Sequence, residues 1–296
     1  MLAGLQRIGS RLLAALAGWR GIGLLALIVL AIWLAGRGLP DGRLHVYFLD
    51  VGQGDAILVR APDGRQLLVD GGPSPVALLS ELGDILPFGD RSLDLVVLTH
   101  PDSDHMSGLI PLVERYRIGQ VLDTPLTEHV PEARPWLAAL ARAGVPRSYA
   151  RRGMTMAVGD LKVTVLHPGP EPLTGTAADD NNNSIVLRLD YGQNSFLLTA
   201  DIEYEAEAEL IHAGLPLHSD VLKVAHHGSR GSTSPVFVEA VRPRLAVIQV
   251  GQDNDFGHPH PEVLARLAGV EILRTDQHGR IEVVSDGRRL WVRTAR

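Results

Sequence analysis

The chain has 296 residues, 45% of them apolar, which is ample for one large α/β domain or two smaller ones and gives no sign of disorder. It contains no cysteine, so disulfides, thiolate metal sites and cysteine nucleophiles are excluded together, and any metal must sit on His, Asp or Glu. The net charge of −6 hides an asymmetry: residues 1–43 carry five Arg and one Asp, leaving 23 basic and 33 acidic groups beyond them. That balance argues against a broad basic surface for gripping duplex nucleic acid, and leaves room for a local groove.

Residues 1–20 form a basic segment, followed by an uncharged apolar run over 21–36 that Arg20 and Arg37 bracket. At ~1.5 Å per residue the run covers ~24 Å, short of a ~30 Å hydrocarbon core unless the flanking Arg side chains snorkel and Trp19 sits at the interface. The run reads as a transmembrane helix or signal anchor. Alternatives are a cleaved signal peptide, although no clean Ala-x-Ala site follows, and an amphipathic surface helix. Arg7, Arg11 and Arg20 precede the run, which places the N-terminus in the cytoplasm and everything after Leu39 on the extracytoplasmic side of the cell membrane. Residues 37–43 are a linker rich in Gly, Pro and Asp, and the globular domain is expected over 44–296.

Strands are expected at His45–Leu49, Ala56–Arg60 and Gln66–Asp70, joined by Gly-containing turns that include Asp63-Gly64, so a meander opens the domain. Helical patterns at Val76–Leu82, Met106–Tyr116 and Pro135–Ala143 then alternate with strands at Leu93–Thr99 and Gln120–Leu122. A second strand-rich block runs through Leu161–Leu166, Ile185–Leu189, Ser195–Thr199, Val221–Ala225 and Leu245–Val250. Its helices are expected at Ile202–His212, Ser234–Val241 and Pro261–Ala268. Short strands near Glu271–Arg274, Arg280–Val284 and Arg289–Val292 close the chain. Two β-rich halves with helices outside fit a four-layer αββα sandwich, with an open α/β sheet as the alternative.

The reactive residues fall just after several of these strands, where α/β folds place active sites. His100, Asp102, Asp104 and His105 put two imidazoles and two carboxylates within six residues. Helix capping explains one or two such polar residues, not four; imidazole and carboxylate are the ligand types for divalent zinc, manganese or iron. His167, Asp201, the pair His226-His227, and His258 with His260 share the same placement. Asp201 alone reads first as the N-cap of the following helix, and His167 first as a turn residue. Adjacent imidazoles at His226-His227, ahead of Gly228-Ser229, have no evident packing purpose.

An ordered series of motifs carries a resemblance. Leu49-Asp50-Val51-Gly52-Gln53-Gly54-Asp55-Ala56, Leu68-Val69-Asp70-Gly71-Gly72, Thr99 to His105 with Ser107-Gly108-Leu109, and Asn182-Asn183-Ser184 come first. Leu198-Thr199-Ala200-Asp201-Ile202, Leu222 to Ser229, and Gly257-His258-Pro259 complete it. From Leu44 to about Arg280 the chain resembles the metallo-β-lactamase superfamily, and within it the hydrolase domain of bacterial competence proteins of the ComEC/Rec2 type. The resemblance implies the αββα fold, hydrolytic activity and two divalent metal ions. His100, Asp102, Asp104 and His105 match the first ligand cluster, Asp201 the bridging carboxylate, and His226 or His227 the last ligand. His227 is the favoured ligand, with His226 facing substrate. The widespread form of the superfamily has His at the position of Asp102 and a further His where this chain has Asn182-Asn183-Ser184. The oxygen-richer site favours manganese over zinc there and leaves the second metal site open.

Such a site activates water and neutralises charge on a phosphoryl or carbonyl oxygen. Asp104 is the expected orienting ligand and proton acceptor, and His226 or His258 the proton donor. Asn183, Ser184, Ser229, Ser232 and His260 are candidate substrate contacts, Ser229 and Ser232 forming an anion-binding turn with the amides of Gly228 and Gly231. The expected function is that of a membrane-anchored phosphodiesterase, a DNA nuclease above all, linked to DNA uptake. The multi-helix channel region of the competence proteins is not matched, so a separate channel protein is an expected partner. The alternatives are an envelope hydrolase of small esters, lactams or head-group phosphodiesters, and a non-catalytic domain that metal stabilises.

Overall fold

The computed structural model describes residues 19–36 and 40–296, and within these the chain forms two compact units. The smaller contains the helix Trp19–Gly36 and the segment Ile85–Asp90. Ile22, Leu25 and Leu27 of that helix are 60%, 63% and 64% exposed. Among the described residues no helix is long and apolar enough to cross a membrane, so the expected span over 21–36 is not shown. Arg7 and Arg11 of the expected basic segment lie outside the described residues.

The larger unit, Pro40–Asp84 with Arg91–Arg296, holds all fifteen described strands. They begin with β1 (Leu44–Phe48), β2 (Ile57–Arg60), β3 (Gln66–Val69), β4 (Ser92–Val97), β5 (Arg117–Asp123) and β6 (Arg147–Tyr149). Next come β7 (Thr155–Val158), β8 (Leu161–His167), β9 (Val186–Tyr191), β10 (Asn194–Leu198), β11 (Val221–Lys223), β12 (Leu245–Ile248) and β13 (Glu271–Arg274). Last are β14 (Ile281–Ser285) and β15 (Leu290–Thr294). One sheet has eight strands in the order β15-β14-β1-β2-β3-β4-β5-β6, the other seven in the order β13-β12-β11-β10-β9-β8-β7.

Residues alternate between two environments along these strands, as the pleat requires. Leu67, Val69, Leu95 and Val97 of the first sheet share one buried core with Val163, Val165, Leu187, Leu189, Phe196 and Leu198 of the second, so the sheets pack face to face. On the outer face of the second sheet, Leu166, Leu197 and Leu222 bury Ile202, Ala206, Leu210 and Phe237 of the covering segments. The first sheet is flanked by helices with buried apolar stripes, among them Leu78 and Leu82, Leu109 and Leu112, and Trp136 and Leu140. The outcome is the four-layer αββα sandwich, not an open sheet. The sequence missed β6 and β7, which are short and lack an apolar run.

Each sheet is antiparallel in one half and parallel in the other: β3 through β6 run parallel, as do β10 through β13. Parallel strands need crossover connections, and their C-terminal ends then gather at one edge. Asp70, His100, Asp201, His226 and Gln249 all follow such ends. The helix expected from Met106 to Tyr116 is instead two helices, Ser103–Met106 and Leu109–Arg115. The His105 carbonyl accepts from the Gly71 amide at 2.7 Å, and the Gly108 amide donates to the Gly72 carbonyl at 2.9 Å, so the loop after β3 is bonded directly to this turn. A Cβ on Gly108 would lie 1.9 Å from the Gly71 carbonyl oxygen, which explains glycine there.

Trp136 docks its helix on the end of β5 by donating Nε1–H to Asp123 at 3.0 Å. Burial pushes the Asp123 carboxyl up to about 6, although Trp136, the Thr124 amide and Arg147 oppose it. A raised folded-state value means that Asp123 contributes stability below its unfolded value near 3.8, lost as pH rises through about 6. Relative to wild type, Asp123→Asn is therefore expected to gain about 2 kcal/mol between pH 4 and pH 7.5 in urea titrations. A gap that stays constant over that range contradicts this.

Candidate metal centre

His100, His105 and His227 are fully or almost fully buried, at 0%, 0% and 1% exposure, and the Nε2 atom of each has no hydrogen-bond partner. Their Nδ1 atoms are all engaged. Asp70 Oδ2 accepts from His105 Nδ1 at 2.8 Å and from the Thr99 hydroxyl at 2.7 Å. That hydroxyl, its proton committed to Asp70, accepts from His100 Nδ1 at 3.1 Å. His227 Nδ1 donates to the Gln249 carbonyl at 2.8 Å. Three imidazoles are thus fixed with Nδ1 protonated and Nε2 left without a partner, the arrangement by which outer groups orient metal-ligating histidines.

The carboxylates complete the cluster. Asp201 Oδ2 lies 3.4 Å from His105 Nε2 and 3.3 Å from His227 Nε2, and Asp104 Oδ2 lies 3.3 Å from His227 Nε2. One donor atom from each of Asp104, His105, Asp201 and His227 fits within 4.8 Å of all the others. The His100 ring lies tilted at 53° against that of His105, 4.1 Å between ring centres, and its Nε2 is 3.6 Å from Asp102 Oδ2. His100 and Asp102 therefore form a smaller pair beside the four-residue cluster. The donor set suits a divalent ion of intermediate hardness. Asp55, Asp70 and His105 also lie close together, but Asp55 Oδ2 is paired with Lys223, and both Asp70 oxygens are engaged by Thr99 and His105.

Burial opposes charge throughout this cluster, and the charges overcome it in pairs. His227 and His105, with Lys223, hold the Asp201 carboxyl well below the usual range. The adjoining His227 and the nearby His105 do the same for Asp104. Despite its burial, His105 is raised well above its ordinary value by Asp201 and Asp70, and His227 is pushed up to about 9 by Asp201 and Asp104. A metal entering here displaces protons from both rings.

The backbone supports the placement at some cost. His226 and His227 both occupy the left-handed region, at φ 48° and 52°, as does Ala200 at φ 48°. Such residues cost of order 1–3 kcal/mol each and persist where surrounding contacts over-determine them. Here the His226 amide donates to the Ala200 carbonyl at 3.0 Å. A glycine loop closes over Asp104: Asp55 donates its amide to the Asp104 carbonyl at 3.2 Å, and a Cβ on Gly54 would come within 2.1 Å of that same oxygen.

His226 stands at the rim, 23% exposed, with Nδ1 3.1 Å from Glu203 Oε1 and Nε2 3.8 Å from Asp201 Oδ2. Of the adjacent pair, it is the buried His227 whose Nε2 lies among the other donor atoms. His258 is half-buried with ring centres 5.7 Å from His226 and 5.3 Å from His260. Burial, then the neighbouring His227, His226 and His260, hold His258 down to about 4.

Other expected contacts are placed elsewhere. The Asn183 amide is committed to the Leu173 backbone and the Asp179 carbonyl, so it shapes its own loop. Ser184 is buried with an unpartnered Oγ, next to Ile185, whose amide donates to Thr99. Ser229 is half-buried beside His226, its amide donating to the His226 carbonyl at 2.7 Å. The anion-binding turn is corrected at Ser232: that residue is fully buried and its hydroxyl donates to the Ala225 carbonyl at 2.8 Å, which closes the turn instead of facing a ligand. His167 is likewise structural, with Nε2 on the Asn182 carbonyl at 2.8 Å.

Sequence reasoning did not place Asp55, Asp70, Glu203, Lys223 or Gln249 around the site. Lys223 gave one signal, a lone cation in the apolar run Val221 to Ala225.

Residues 49–252 match the sequence profile of the metallo-beta-lactamase superfamily. ComE operon protein 3 of Bacillus subtilis is 34% identical over 258 residues, covering 80% of this chain and 32% of its own length. Competence protein ComA of Neisseria gonorrhoeae is 32% identical over 270 residues, covering 89% and 36%. The chain therefore spans about a third of the length of these curated relatives. Among solved structures, the metallo-beta-lactamase fold protein YhfI of Bacillus subtilis superposes with a TM-score of 0.55 at 13% identity, covering 84% of this chain and all of its own. Zn(2+)-bound PqqB of Methylobacterium extorquens superposes at 0.51 with 17% identity, covering 78% and 97%.

Proposed function

Since the chain belongs to the metallo-β-lactamase superfamily and is a metal-dependent hydrolase of that kind, we propose that it cleaves phosphodiesters, with single-stranded DNA as the favoured substrate. The observation that carries this is the convergence of the buried, unpartnered Nε2 atoms of His105 and His227 on Asp201, with His100 alongside. The names of the competence relatives support DNA as the phosphodiester.

Asp104, His105, Asp201 and His227 would hold one ion, and His100 with Asp102 would contribute to a second. Bound divalent ions supply an acidified water and Lewis-acid charge for a phosphoryl oxygen, and the oxygen-rich donor set favours manganese over zinc. Asp104, 31% exposed at the mouth of the cluster, is placed to orient the attacking water and accept its proton at a carboxylate oxygen. His226 presents Nε2 at the rim while Glu203 fixes Nδ1, which suits a proton donor to the leaving oxygen. His258, held neutral, suits substrate positioning better than proton donation.

We also place the chain at the cell membrane, with the hydrolase on the extracytoplasmic side. The exposed apolar residues of the helix Trp19–Gly36 and the Arg residues that precede it support that reading.

With manganese added, the purified chain is expected to cleave single-stranded DNA and bis-p-nitrophenyl phosphate, and Asp104→Ala to lower both by at least about 100-fold. Silence on every phosphodiester sinks this reading. The acidic surface favours a second one: cleavage of small substrates alone would assign the site to small esters or head-group phosphodiesters.

A further inference from the structure

A cavity of about 800 Å³ opens where β5, β6 and β8 end, on the edge that carries the metal cluster. Its wall includes Thr124, Leu126, His129, Arg151, Pro170 and Asn183. Two hydrogen bonds tie it to the cluster. Ile185, two residues beyond Asn183, donates its amide to the Thr99 carbonyl at 3.0 Å, immediately before His100. Leu98 donates its amide to the Leu122 carbonyl at 3.0 Å, two residues before Thr124.

The charges at this cavity are unevenly spent. Arg152 is engaged by the Leu166 carbonyl at 2.9 Å and by Glu209, and Arg147 by Glu128 and by Asp123 at 3.4 Å. Exposed Arg151, by contrast, has no ion-pair or hydrogen-bond partner for its guanidinium among the described residues. A free guanidinium at the mouth of a proline- and leucine-lined cavity, on an otherwise acidic domain, suits a ligand with an anionic end and a flat, weakly polar body. The volume falls within the roughly 300–1,000 Å³ that accommodates small ligands.

Resting on the phosphodiesterase reading above, we propose that this cavity holds a nucleotide unit of the same single strand whose phosphodiester reaches the metal cluster. Arg151 takes a flanking phosphate, and the unstacked base lies against Leu126 and Pro170. The occupant is part of a strand because the cavity and the cluster adjoin along one edge, so a continuous backbone spans both.

The test is fluorescence anisotropy on the full chain in chelator, with a labelled single strand of about ten nucleotides and, separately, a labelled mononucleotide. Arg151→Glu and the cavity-filling Leu126→Trp are each expected to weaken oligonucleotide binding about tenfold or more, and Arg151→Ala by less. Arg244→Glu makes the same charge change at a 77% exposed residue before β12, at the opposite strand ends, and is expected to leave binding intact. Equal binding by wild type, Arg151→Glu and Leu126→Trp overturns the subsite, as does equal loss in Arg244→Glu. A mononucleotide that binds as tightly as the oligonucleotide, with the same sensitivity, overturns the strand as occupant. Hydrolysis of bis-p-nitrophenyl phosphate by the wild-type chain with manganese separates the two levels. Where it persists, only the subsite falls; where it is absent, the phosphodiesterase reading falls with it.

Discussion

Asp201→Asn is expected to empty the metal cluster and to reduce hydrolysis by more than the roughly 10–100-fold typical of changes one shell further out. The reason is geometric. Its Oδ2 lies within 3.4 Å of both His105 Nε2 and His227 Nε2, while its Oδ1 lies 3.4 Å from the Lys223 ammonium, so one carboxylate joins both buried imidazoles to the buried ammonium. An amide of the same shape keeps one carbonyl oxygen and loses the charge that offsets an ammonium and a divalent ion together. Asp102→Ala is the informative contrast. Asp102 has a 46% exposed side chain and one near partner, His100 at 3.6 Å, so its loss should remove only the share of metal held by that pair. Elemental analysis of both variants, purified without chelator, reads the outcome directly. Equal and undiminished metal in Asp201→Asn would place the ions elsewhere.

How much of this centre a sequence discloses depends on how local it is. The donors from His100 to His105 and the pair His226-His227 are legible because each group sits within a few residues at a strand end, where the 180° periodicity of an apolar run stops. Asp201 shares the same placement, although taken alone helix capping explains it better. The groups that orient these donors are not local. Asp70 meets His105 across 35 residues, and the Gln249 side chain donates to the Leu49 carbonyl across 200. Strand patterns do not encode which strands become neighbours, so such partners emerge only once β3 is paired with β4 and the two sheets are stacked. Ser232 shows the converse error: a Gly-Ser loop has the composition of an anion-binding turn, and only its buried hydroxyl, turned back to Ala225, shows that the turn binds itself.

The residue whose loss should cost the most stability is one that the sequence signals only as a lone cation in an apolar run. Lys223 is fully buried, its ammonium paired with Asp55, donating to the Ala200 carbonyl at 2.9 Å, and 3.4 Å from Asp201 Oδ1. Burial opposes its charge, yet Asp55 and Asp201 raise its proton affinity above the ordinary lysine value. Asp55, Asp70, Asp104 and Asp201 bring four carboxylates to one region, and this ammonium is the permanent countercharge that a metal-free chain retains. Lys223→Met keeps the length of the side chain, takes from buried Asp55 its ammonium partner and from Asp201 one of its three neighbouring cations, and the removal of one partner of a buried pair costs about 3–5 kcal/mol. Urea titration of the chelated full chain measures it. Much of the loss should return in the double variant Lys223→Met with Asp55→Asn, because a neutral pair no longer buries an unpaired charge. A single variant within about 1 kcal/mol of wild type would mean that water already solvates this ammonium. Activity should fall as well, and separately from stability: Asp201 Oδ1 loses the group that fixes its rotamer, so metal affinity should drop by about 10–100-fold in Lys223→Met even at temperatures where the chain stays folded.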